Sequence, residues 1–202
     1  MDVMANPPIK LTGNPEADQL LTDDDNALLL GMVLDQQVPM EKAFSGPLVI
    51  AQRMGGGLDV AKIAAMSEDD FVALCSQRPA IHRFPGAMAK RVRQVCQVLT
   101  DDCDGQATNL WKNAQTGEEL KANLARLPGF GPDKAAIFTA VLGKLRGITP
   151  DGWRTAAGYY GEPGTFRSVA DIVDVDSLQK VRETKKSVKA AKKGGRLARW
   201  LV

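Results

Sequence analysis

The chain has 202 residues, 44% of them apolar, enough for a substantial core in one unit or in two closely joined lobes. The net charge of +2 is uninformative, but nine Lys/Arg against one Glu from residue 180 onward give a local +8 and leave −6 elsewhere, the pattern of a basic end that meets a polyanion or of a solvated helix face. Cys75, Cys96 and Cys103 make no disulfide framework, a single histidine argues against zinc, no apolar run nears the roughly 18 residues of a membrane span, and nothing at the start resembles a signal peptide, so a reducing, cytoplasmic setting is expected.

In chain order, Pro7-Pro8 and Gly13-Asn14-Pro15 read as an extended arm. Asp23, Asp24 or Asp25 then caps a helix with an apolar stripe through Leu28, Leu29, Met32 and Val33, which ends before Val38-Pro39. A second helix begins near Met40 and is closed by Gly55-Gly56-Gly57; no Gly-Lys-Ser/Thr follows, so the glycines are a turn and not a triphosphate loop. Residues 58–66 predict a short helix. Ser67 opens another that carries Phe71, Leu74 and Cys75 and is broken at Arg78-Pro79. The loop His82-Arg83-Phe84-Pro85 precedes a helix with Val92, Val95, Cys96 and Leu99 on one face. The acidic segment 101–105 lacks the further ligands of a calcium loop.

A helix over 118–126 leads into Leu127-Pro128-Gly129-Phe130-Gly131-Pro132-Asp133-Lys134-Ala135, a tight Gly turn between two helices. The glycines allow positive φ, and Pro132 suits the first position of the next helix, whose Phe138, Val141, Leu142 and Leu145 share one face. Its amino end is left free to face an anion. Then comes Gly147-Ile148-Thr149-Pro150-Asp151, with Asp151 eighteen residues beyond Asp133. Together the two segments resemble the helix-hairpin-helix DNA glycosylases, a family that includes endonuclease III and the 3-methyladenine glycosylases.

The resemblance implies an all-α, two-lobed fold: a six-helix lobe over 25–145, with the hairpin at about 120–145, and a second lobe from 1–24 plus 146–202. It implies that Gly129, Phe130, Gly131 and Lys134 contact a DNA strand, with a monovalent cation at the hairpin as the one metal allowed. Asp151 becomes the catalytic carboxylate beside the anomeric carbon of an extruded nucleotide. The alternative for Asp151 is a loop or helix-cap aspartate after Pro150. Asp35-Gln36-Gln37-Val38 matches a Gln-Gln segment of the alkyladenine branch, which makes Gln37 the residue that enters the gap left by the base, unless it caps the helix end. The loop before Ala89 puts Phe84 at an intercalating position beside Arg83, against the alternative that Phe84 anchors the loop in the core. His82 reads as a loop hydrogen-bonder. Gln36, Trp153 and Asp133 are candidates for the base pocket, with Trp153, Tyr159 and Tyr160 either stacking on a base or packing the core.

Two departures narrow the expectation. No cysteine follows Cys103, so the four-cysteine iron–sulfur cluster of some members should be absent. Strand-nicking members carry Lys where this chain has Asp133; Lys134 is one residue on, turned by about 100°, so its amine should point away from that pocket. The expectation is a monomeric, monofunctional base-excision glycosylase acting on duplex DNA without cofactor, near the nucleoid. A clamp that has lost its chemistry and a hairpin that holds a protein partner are the rivals.

Overall fold

The computed structural model describes residues 6–198, and side chains as far as residue 191. Helix α1 (Pro15–Asp23) begins where the sequence suggested an extended arm: Asn14 accepts from the amides of Glu16 and Ala17, and Pro15 occupies the first helical position. The side-chain cap and the proline open the helix, and the burial of Ala17 and Leu21 along one face holds it in place. Asp24 ends α1 and caps α2 (Asp25–Leu34) through the amides of Asn26 and Ala27. Nearly all of α2 is buried, so it is the axis of the molecule. Gly31 and Gly46 let α3 (Met40–Arg53) approach it closely, since a Cβ on Gly31 would lie 2.9 Å from Phe44 Cε1.

Helices α4 (Val60–Ala65) and α5 (Glu68–Ser76) are capped by Asp59 and Ser67, and both pack on α6 (Pro85–Asp102). Thr116 caps α7 (Gly117–Ala125), and the Gly turn joins it to α8 (Pro132–Leu145). Short α9 (Trp153–Ala157) follows, then single turns at Gly158–Tyr160 and Val169–Asp171, and a long α10 (Val175–Ala198). Among the described residues there are no strands, and no helix is long and apolar enough to cross a membrane. Phe44, Phe71 and Phe138 are among the largest fully buried side chains, each stabilising the fold by roughly 1.5–3 kcal/mol.

Two polar ties set α8 antiparallel to α2. At its start, Lys134 Nζ donates to the carbonyl of Val33, 3.1 Å away at the end of α2. At its end, the buried Arg146 guanidinium donates to Asp25 (2.9 Å) and to the carbonyl of Leu21, at the α1–α2 junction. The Gly turn is thereby brought beside the loop that follows α2, and residues about 100 apart in sequence share one crease.

Candidate nucleic-acid interface

The turn is built from backbone first. Gly129 has φ +83, and a side chain there would collide with Arg91, whose Nε would lie 2.7 Å from the added Cβ. Gly131 is different: it is extended (φ −73), caps α8 without a side-chain bond and has open space where a Cβ would be. The Phe130 amide donates to the carbonyl of Leu127, closing the turn at 3.0 Å. Among the described residues, the amides of Gly129, Gly131, Asp133 and Lys134 donate to no protein acceptor. Four unpaired donors at an exposed turn and the positive end of α8 make an anion cradle.

Several expected contacts change at this point. Phe130 is buried, edge-on to Phe138 at 6.1 Å, and its amide is used inside the turn, so it shapes the cradle without touching a strand. The Lys134 amine does point away from the turn, into the crease against Val33 and 5.9 Å from the Phe130 ring, so it is not a phosphate contact. Burial pushes its pKa down to about 8, with Arg91 adding to the effect and Asp35 opposing it. Trp153 is also removed from the surface: its backbone packs against Gly117 and its indole against Gly143, as a core side chain with Arg154 4.4 Å above the ring. Asp133 sits exposed in the first turn of α8 and is close enough to Tyr160 to help burial raise that phenol's pKa.

The loop after α2 meets the turn from the other side. Gln36 and Gln37 are exposed, and Gln37 adopts φ +59, the left-handed conformation that turns its side chain out of the helix line. Gln36 Oε1 accepts from Arg91 Nη1 at 3.0 Å, and Arg91 lies against Gly129. His82, the sole histidine, is buried and joins this loop to the next: its Nε2 pairs with the carbonyl of Gln36 at 2.8 Å, while Nδ1 accepts from the Phe84 amide at 3.0 Å. Those partners fix the Nε2–H tautomer. His82 thus positions Phe84, which stands 46% exposed at the start of α6 with Arg83 5.3 Å over its ring. Asp35 completes the crease with its side chain 13% exposed, Lys185 of α10 4.0 Å away and burial raising its pKa.

Arg91, Asp35 and Lys185 were not singled out from the sequence. Their partners lie tens of residues away or more, and no local pattern announces such contacts.

Asp151 stands apart from this crease. Its backbone is pinned to the start of α7, with the Gly117 amide donating to its carbonyl (2.8 Å) and its own amide donating to Gln115 (3.2 Å). The carboxylate is exposed and makes no hydrogen bond among the described residues. Nine residues of α7 separate it from the turn, roughly 14 Å at 1.5 Å per residue. A monovalent cation at the turn would need carbonyl oxygens, and those of Pro128 and Gly129 accept no hydrogen bond among the described residues. The residues therefore fit such an ion.

A family model described as HhH-GPD superfamily base excision DNA repair protein matches residues 30–193. No curated protein and no solved structure matches the chain.

Proposed function

The chain belongs to the HhH-GPD superfamily of base excision DNA repair proteins, and from that membership and its cleft we propose a monofunctional glycosylase that acts as a monomer on duplex DNA. The observation that carries this reading is the convergence in one crease of four unpaired turn amides, the exposed Gln36 and Gln37, and the exposed Phe84. In the proposed reaction the C1′–N bond breaks with its electron pair leaving on the base nitrogen, and positive charge develops on C1′ and the ring oxygen. A carboxylate lowers the barrier by facing that charge. Water then adds its oxygen to C1′ and gives its proton to the carboxylate, which returns it to solvent. Two carboxylates are candidates: Asp151, exposed and unpaired, and Asp35, which lies in the crease itself. Lack of strand cleavage is supported by Asp133 at the position of the family's nucleophilic lysine and by the Lys134 amine being bonded to Val33.

The test is a panel of duplexes carrying uracil, alkylated purines, 8-oxoguanine, oxidised pyrimidines and mismatches, developed with and without alkali. Product that needs alkali shows base loss without strand cleavage. Asp151→Asn is expected to lower single-turnover excision by about 100-fold or more with DNA affinity preserved. If Asp35→Asn shows that loss and Asp151→Asn does not, the carboxylate assignment moves to the crease. Borohydride trapping of a covalent adduct through Lys134 would contradict the monofunctional reading. A clamp without chemistry is the second reading, favoured by the distance of Asp151 from the turn; the absence of base release from every duplex would select it.

A further inference from the structure

An open groove of about 330 Å³ runs between α8, the turn at Gly158–Tyr160 and α10, beside the crease. Its walls are Tyr159 and Tyr160, set edge to face at 5.3 Å, with Ile137 and Val188. Tyr159 is 53% exposed and Val188 is exposed as well, two large apolar side chains left open to one crevice. Arg167 holds Tyr159 in place, its guanidinium 3.9 Å from the ring centroid and one nitrogen donating to the tyrosine carbonyl at 2.6 Å. The volume falls at the low end of small-molecule sites, roughly 300–1,000 Å³. One contact connects the groove to the crease: Lys185, in the groove lining, stands 4.0 Å from Asp35.

The charge of the lining is one-sided. Arg167, Lys185 and Lys189 line the groove and no carboxylate does. Of the acids nearby, Glu162 pairs with Arg167 at 2.8 Å, Asp35 faces Lys185, and the charge of Asp133 is felt at the Tyr160 phenol; Lys189 has no carboxylate partner among the described residues. Building on the glycosylase reading, we propose that this groove receives the extruded base and selects neutral bases rich in carbonyl oxygens, such as uracil, hypoxanthine or oxidised pyrimidines, over cationic N-alkylated purines. Flat tyrosines take the face of the base, and the cations donate to its oxygens. When the C1′–N bond breaks, a neutral base departs as an anion that these cations stabilise until it takes a proton from water. An N-alkylated purine brings a positive charge to a positive wall and departs neutral, so it gains nothing from them.

Two readouts test this with the full chain. In single-turnover excision, wild type should prefer the carbonyl-rich bases. Tyr159→Ala should lower their release by about tenfold or more, while affinity for a duplex with a tetrahydrofuran abasic analogue, which has no base, stays within about twofold. Lys189→Glu should narrow the preference against N-methylated purines. Photocross-linking of a duplex carrying 4-thiouracil, mapped by mass spectrometry, should label Tyr159, Tyr160 or Lys189, and it needs no catalysis. Excision unaffected by both substitutions would overturn the groove and leave the glycosylase standing. Absence of excision on every duplex, with cross-links in the groove, would sink the chemistry and keep the base site. Cross-links confined to other segments would overturn the proposal whatever is released.

Discussion

His82 shows how one side chain can set the stance of an exposed one. It pairs with the Gln36 carbonyl and accepts from the Phe84 amide, so protonating Nδ1 removes that acceptor and places a charge in a buried site. Burial already holds its pKa below the ordinary value of 6.5. A depressed folded value means that the contribution to stability is complete above the unfolded pKa and is lost as pH falls through the folded one. Chemical denaturation at about pH 7.5 and about pH 5 should therefore show a drop in midpoint for wild type that is smaller in His82→Gln. Equal drops would mean that other groups govern acid stability. The sequence already marked this histidine as a loop hydrogen-bonder; which loops it ties, Gln36 to Phe84, depends on a partner 46 residues away and could not be read from it.

At the level of the helical hairpin, the two glycines are predicted to part company. Gly129→Ala meets both a left-handed backbone and the Arg91 side chain, and should cost about 1–2 kcal/mol or more in stability. Gly131→Ala meets neither, so its unfolding free energy should stay within about 0.5 kcal/mol. Fluorescence anisotropy should still show weaker DNA binding for Gly131→Ala, because the new methyl stands where a phosphate would approach the amide; undiminished affinity would place the strand elsewhere. The start of α8 at Pro132 and the caps at Asp24 and Ser67 were legible, because capping chemistry is local. Helix α1 was missed because Gly13-Asn14-Pro15 reads equally as turn punctuation, and only the burial of Ala17 and Leu21 against the body of the protein decides the matter. Phe130 and Trp153 are settled only by tertiary packing: Phe130 is buried edge-on to Phe138, and the Trp153 indole takes the core alternative, in the space beside Gly143.

Across the molecule, positive charge reaches the interface from separate elements. Arg83 on the loop before α6 and Lys186 on α10 are both exposed, whereas the basic residues from Lys192 onward have side chains outside the described residues. If both cations meet phosphates, Arg83→Gln and Lys186→Gln should each reduce the slope of log affinity against log salt by about 0.9, without regard to DNA sequence. An unchanged slope in Lys186→Gln would leave α10 a structural strut, held by the buried Val181 and by the Arg182–Glu41 pair. The packing of Trp153 carries the farthest-reaching consequence. Its backbone abuts Gly117 on α7 and its indole abuts Gly143 on α8, with no room for a methyl at either position, so the two arms pivot on a pin set at the end away from the turn. Small errors at that pivot are magnified along the arms, which places the precision of the grip in residues that never meet the polymer it holds.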